Sequence, residues 1–214
     1  MIYNMNIFNK RIIDNLNENR FMIILNSEDT DIHNSYALYI LEYINNPDNY
    51  GKTIVFLSPY QNDLDLVRGY ITKFDNITKD MVKSTHFDNN IIIRYVRMHK
   101  HSVMIGYTAD MIIGMNVAFA DNNVFVNFNR AIYPVMASSK YSKLIYSSHP
   151  NGMNHFQKMF SDAEKGIGSF MSMRMYFWED GNCDSSYISN KIQKIGEDDF
   201  NQYYNLVFGN KKRK

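Results

Sequence analysis

Cysteine is almost missing from this 214-residue chain, in which Cys183 stands alone. A single thiol closes no internal disulfide and builds no four-cysteine zinc site, and it fits a reducing compartment. An excess of one charge is missing too. The 23 Lys and Arg oppose 22 Asp and Glu, a formal net charge of +1. That excludes an overall basic protein and confines any nucleic-acid contact to a local patch. No apolar run approaches the roughly 18 residues a membrane helix needs. The start, Met1-Ile2-Tyr3-Asn4-Met5-Asn6, alternates polar and apolar residues and lacks the basic region and apolar core of a signal peptide. The chain is therefore expected to be soluble and intracellular, with no membrane partner. Alanine is scarce as well, seven residues against 27 Asn and 24 Ile. The Asn are scattered among apolar runs, so their excess reads as an AT-rich coding bias and not as a prion-like tract.

What is present is enough apolar surface for a core. The hydrophobic fraction is 45%, which excludes wholesale disorder, and the length suits one domain. Helical spacing runs through Phe8–Asn19, Asp31–Ile44, Asp63–Phe74, Asn154–Glu164 and Asp198–Val207. Compact apolar runs of buried-strand length lie at Phe21–Leu25, Thr53–Leu57, Val124–Val126, Leu144–Tyr146 and Phe170–Trp178. Ile91–Val96 and Ser102–Tyr107 read as a hairpin. Short apolar strands alternating with helices predict an α/β domain, its mostly parallel sheet covered on both faces. No linker rich in Pro, Gly or Ser divides it, and no internal repeat is visible. Its expected extent is residues 1–209, with residues 210–214 as a basic tail.

The turn after the first strand is the informative place. In nucleotide-binding α/β domains a Gly-rich loop wraps phosphate with backbone N–H groups, and a Lys reaches the terminal phosphates. Here the slot holds Glu28, Asp29, Thr30, Asp31, Ile32 and His33, with no Gly, Lys or Arg and with three carboxylates. The acids complement a helix N-terminus, and Asp31 is placed to cap it, but they repel a triphosphate. Gly51-Lys52-Thr53 spells the end of a P-loop, yet it precedes a strand where a P-loop follows one. A hydrolase also needs a strand ending in carboxylates that hold Mg²⁺ and activate water. The candidate strand Val124–Val126 runs into the neutral Asn127 and Phe128, and Asp121 stands at its wrong end.

The stretch Leu144-Ile145-Tyr146-Ser147-Ser148-His149-Pro150-Asn151-Gly152-Met153-Asn154-His155-Phe156 resembles the coupling motif of large terminase subunits, the ATPases that package DNA in tailed phages. In that family a strand runs into Thr-Pro-Asn-Gly and then Asn-His-Phe on a helix. Phe8-Asn9-Lys10-Arg11 falls where the family has an adenine-reading aromatic–Gln pair, and Phe21–His33 falls on its P-loop segment. Asp110-Met111-Ile112-Ile113-Gly114 falls on a segment with Arg-Gly. Ile192–Ile195 and Asp199–Tyr203 resemble the end of the ATPase domain. The resemblance covers nearly the whole chain and stops where the family's nuclease domain would begin. It implies a P-loop NTPase-like sheet of the RecA or ASCE type with a degenerate nucleotide site.

Carried over residue by residue, the chemistry does not transfer. The adenine-reading Gln becomes Asn9, the P-loop Gly-Lys-Thr becomes Asp31-Ile32-His33, and the P-loop Arg becomes Glu28. The magnesium Asp and the catalytic Glu fall on Val126, Asn127 and Phe128, and the Arg before Gly114 becomes Ile113. Only His149, Pro150, Asn151 and Gly152 keep the coupling motif, with His149 in place of Thr. The expectation is a pseudo-ATPase with no catalytic residue, no cofactor, no metal and no nucleotide. It would act as a scaffold, regulatory or specificity subunit of a phage assembly in the cytoplasm of the infected host.

Two alternatives stand beside it. One is an active packaging ATPase whose divergent site is completed by a partner subunit. The other is a DNA-binding module of another phage machine, resting on Lys211, Lys212, Arg213 and Lys214 and on exposed Tyr203 and Tyr204. For the tail itself, a solvated end competes with contact to DNA or an acidic partner. His99-Lys100-His101 reads as a solvated turn without a third metal ligand, His149 and His155 as capping or packing groups, and Cys183 as an inert thiol.

Overall fold

Strand β1 (Phe21–Asn26) buries side chains on both of its faces. Met22 and Ile24 enter one core, with helices α1 (Ile7–Glu18), α2 (Ile32–Asn45) and α3 (Gln61–Ile71). Ile23 and Leu25 enter the other, with α4 (Asn122–Ala137) and α5 (His155–Glu164). Period-2 alternation thus puts apolar residues on both sides at once, so the run reads as continuous. Each fully buried Ile or Leu contributes about 1.5–3 kcal/mol, which fixes the strand between two helical layers. These features come from a computed structural model that describes residues 7–99, 108–180 and 183–209.

The sheet has eight strands in the order β3-β4-β5-β2-β6-β7-β1-β8. After β1 come β2 (Thr53–Ser58), β3 (Ile77–Met81), β4 (Ser84–Phe87), β5 (Ile92–Arg97) and β6 (Met111–Gly114). The last two are β7 (Lys143–Ser148) and β8 (Met171–Met175). The six strands from β5 to β8 in that order are parallel; β3 and β4 add an antiparallel hairpin to one edge. All six parallel strands therefore end at the same edge. There β1, β2 and β7 each stop on a buried polar residue, Asn26, Ser58 and Ser148. Helices α6 (Ser185–Ile195) and α7 (Glu197–Tyr203) follow β8 and form a small aromatic cluster with Phe177, Phe200 and Tyr204. No helix among the described residues is long and apolar enough to cross a membrane.

The expected α/β class holds, and several local readings are corrected. Val124–Val126 is not a strand but the first turns of α4. Val124, Phe125, Phe128, Ile132 and Met136 recur at helical spacing and bury one stripe, while Asn127 faces solvent. A three-residue apolar run imitates a strand; the longer repeat decides for the helix. The strand beside β2 and β7 is β6, read above only as a segment of the resemblance. The hairpin partner of β5 is β4, and Ser102–Tyr107 lies outside the described residues, as do His101 and the tail 210–214. The expected last helix, Asp198–Val207, is α7 and stops at Tyr203; α6, which ends at Gly196 (φ 85°), stands before it and was not expected.

Candidate functional site

The β1–α2 loop spans residues 27–31 and starts α2 at Ile32. Ser27 anchors it to the end of β8. Its backbone N–H donates to the Met175 carbonyl at 2.9 Å, and its Oγ donates to the same oxygen at 3.1 Å and accepts the Phe177 N–H at 2.6 Å. The Glu28 N–H donates to the Tyr203 carbonyl at 2.9 Å, so two amides of the loop point to β8 and α7. Thr30 Oγ1 folds back onto the Ser27 carbonyl at 2.8 Å. Asp29 and Asp31 take left-handed backbone (φ 63° and 42°), a region Asp tolerates better than most residues. Asp31 caps α2 as expected, its Oδ1 accepting the Asn34 N–H.

Residues 26–33 and His149 enclose a cavity of about 340 Å³, and no Lys or Arg is among its described lining residues. His149, just after β7, joins this wall. Its Nδ1 lies 2.7 Å from the Asn26 carbonyl, which can only accept, so that nitrogen carries hydrogen. Nε2 then faces Glu28 Oε1 at 3.4 Å, and the Tyr203 ring stands edge-on at 5.8 Å. Asp29 is gripped from the C-terminal helices by the Tyr187 hydroxyl and by Lys191 Nζ at 3.0 Å. Burial acts to raise the Asp29 carboxyl pKa, but the hydrogen bonds from Tyr187 and Lys191 outweigh it and hold it below the usual range.

On the α3 side the buried acid is Asp63, in the first turn of its helix and 5% exposed. Its Oδ2 accepts from Ser58 Oγ at 2.5 Å and from Asn116 Nδ2 at 3.0 Å, while His33 Nε2 stands 3.3 Å from Oδ1. Three chain segments thus converge on one carboxylate: the start of α2, the end of β2, and the turn after β6. Burial would raise its pKa; His33, Ser58 and Asn116 together lower it. Ile32, the neighbour of His33, is buried in the apolar layer.

The stretch after β7 is built as a junction. The Pro150 carbonyl accepts from Gln202 Nε2 at 2.8 Å, and Asn151 Nδ2 donates to the Ala118 carbonyl at 3.1 Å. Gly152 takes φ 66°. Asn154 caps α5 through the Gln157 N–H at 3.0 Å and reaches Ala118 O with its amide. His155 packs against Phe125.

Of the residues singled out by sequence, Glu28 to His33 and His149 meet at one cavity, with Pro150 to Gly152 behind it. Val126, Asn127 and Phe128 do not join them; they lie on α4. Asn9 is fully buried, its Oδ1 accepting from Ser35 Oγ at 2.7 Å between α1 and α2. Ile113 is buried within β6, and Tyr204 is buried rather than exposed. Missed altogether were Asp63, Asn116, Tyr187 and Lys191. An acid in the first turn of a helix after a strand, and Tyr and Lys four apart on α6, were the signals available.

At the level of sequence, no protein-family profile and no curated protein matches the chain. The fold does match solved structures. The large terminase ATPase domain of Thermus phage P74-26 superposes with a TM-score of 0.73 at 13% identity, over 89% of this chain and 89% of that one. The large terminase of a thermophilic bacteriophage, solved in complex with ADP, gives 0.73 at 9% identity, over 95% and 53%. That of bacteriophage HK97 gives 0.72 at 14%, over 95% and 50%. The chain therefore has a P-loop NTPase-type fold. More narrowly, it is the fold of large terminase ATPase domains, and it spans about half the length of the two whole terminases.

Proposed function

We propose that the chain is a non-hydrolysing counterpart of the terminase ATPase domain, acting through its surfaces as a scaffold, regulatory or specificity subunit. Its setting would be a phage DNA-packaging or other nucleic-acid-processing assembly in the cytoplasm of the infected host. The fold shared with packaging ATPases supports the phage setting. One observation carries the loss of hydrolysis: where the family has the P-loop Lys and the magnesium-binding Thr, this chain has buried Ile32 and the Asp63-facing His33.

The physical reason is electrostatic. Phosphoryl transfer depends on positive groups and metal that neutralise a polyanion. Glu28, Asp29 and Asp31 instead bring three carboxylates to the cavity wall. Between β1 and β2 the sheet carries β7 and β6, whose ends supply His149 to the cavity wall and Asn116 to the Asp63 cluster. The residues at those ends are Gly114, closing β6, with Met115 and Asn116 after it, and Ser148, closing β7, with His149 after it, none of them a carboxylate. These replace Val126, Asn127 and Phe128 as the positions to compare with the family's acids. Lys211 to Lys214 stay a candidate contact for DNA or an acidic partner.

Phosphate release from Mg²⁺-ATP, measured with and without double-stranded DNA, tests the reading. No turnover above the protein-free rate is expected. Turnover abolished by changes at residues 28–33 would overturn it.

A further inference from the structure

At the opposite edge of the sheet, where β1 and β8 begin, a second cavity of about 470 Å³ opens between α4 and α5. Phe21, Met136, Met159 and Phe170 supply apolar wall, and Arg20 supplies the cation. Arg20 is held in place by backbone. Its Nε donates to the Ser142 carbonyl at 2.8 Å, and its Nη2 reaches the carbonyls of Met136 and Ser139 at 2.5 Å and Ser142 Oγ at 3.0 Å. The guanidinium lies 4.6 Å from the Phe21 ring centroid. Nη1 makes no hydrogen bond with any described residue. The acid on the wall, Asp162, is already paired with Lys158 Nζ at 2.6 Å.

A fixed, half-buried guanidinium with one unspent N–H pair, beside an apolar cavity, selects for a carboxylate attached to an apolar body. The rim favours a chain over a free small molecule. Tyr133 and Ile167 are 54% and 58% exposed, and Met171, next after Phe170, is also exposed. That apolar surface extends the site beyond the cavity. We propose that this cavity receives the C-terminus of a partner protein, its last large apolar side chain inside and its carboxylate on Arg20 Nη1. The proposal is independent of whether the chain hydrolyses ATP.

The test uses the hexapeptide Gly-Ser-Gly-Ser-Leu-Phe, fluorescein-labelled at its N-terminus, as free acid and as C-terminal amide, with 3-phenylpropionate as an unlabelled competitor. Fluorescence anisotropy should show the acid binding at least about tenfold more tightly than the amide, the scale of one charge-assisted hydrogen bond. Arg20→Gln should erase that difference. Because Arg20 also ties down residues 136–142, Ile167→Asp on the exposed rim gives a fold-neutral second variant, expected to weaken the acid at least about fivefold. Equal affinity for acid and amide, no saturable binding of either at millimolar concentration, or no effect of Ile167→Asp would overturn the proposal. Competition by 3-phenylpropionate as strong as by the unlabelled peptide would overturn the chain-end assignment in favour of a small organic acid.

Discussion

His33 Nε2 lies 3.3 Å from Asp63 Oδ1, and this contact ties the first turn of α2 to the first turn of α3. In a P-loop the same first turn of helix faces a metal-bound phosphate. Here a protein carboxylate stands before it and is itself held by Ser58 and Asn116. The cluster joins chain segments with internal hydrogen bonds.

Removing the carboxylate should therefore be expensive. Asp63→Ala leaves the Ser58 hydroxyl and the Asn116 amide without their acceptor, at an expected cost of about 2–3 kcal/mol by urea denaturation. The pH dependence has a definite sign. A carboxyl held below its ordinary value stabilises the fold fully above about pH 4 and loses that contribution as pH falls through its folded value. The stability gap between the native protein and Asp63→Ala should thus narrow below about pH 4. A gap unchanged down to pH 3 would mean that ionised Asp63 does not hold the cluster.

The end of β6 should resist enlargement. A Cβ on Gly114 would stand 2.7 Å from Tyr146 Cδ1 and 2.8 Å from Val117 Cγ1. Tyr146 is buried and fixed by its hydroxyl, 2.6 Å from Asn129 Oδ1. Gly114→Ala is expected to cost about 1–3 kcal/mol. Combined with Tyr146→Leu, which withdraws the ring, it should cost less than the two changes added, by at least about 0.5 kcal/mol. Strict additivity would show that Tyr146 is not the obstacle.

The grip of α6 on the loop has a spectroscopic signature. Burial raises the Tyr187 phenol to about 12, and its hydrogen bond to Asp29 adds to the rise. In Asp29→Ala the midpoint, followed by the ¹³Cζ resonance of Tyr187, should fall from about 12 towards the ordinary value near 10. Both partners are largely at the surface, so global stability should change by less than about 1 kcal/mol. A midpoint that does not move would place the Tyr187 hydroxyl elsewhere.

Much of this architecture was legible in the sequence. β1, β2 and β7 are continuous apolar runs because both of their faces are covered, and α5 announces itself with Asn154 as cap. β3 escaped because Thr78, Lys79 and Asp80 face solvent and leave no apolar alternation to read. β6 escaped because its four residues offer a very short run. The site was half legible. The acidic character of residues 28–31 is local in sequence, so it could be read directly. The grip on Asp29 comes from residues 158 and 162 positions away. Asn116 meets Asp63 only because β6 lies beside β2. Those juxtapositions belong to strand order, which composition and periodicity do not specify.

The cavity bounded by residues 26–33 and His149 is proposed to take no nucleoside triphosphate. Isothermal calorimetry of ATP with excess Mg²⁺ into the full chain tests it most directly. No saturable heat is expected up to about 1 mM ligand, on the order of the weakest affinities such a titration resolves. Micromolar binding that disappears when Ile32 or His33 is changed would contradict it.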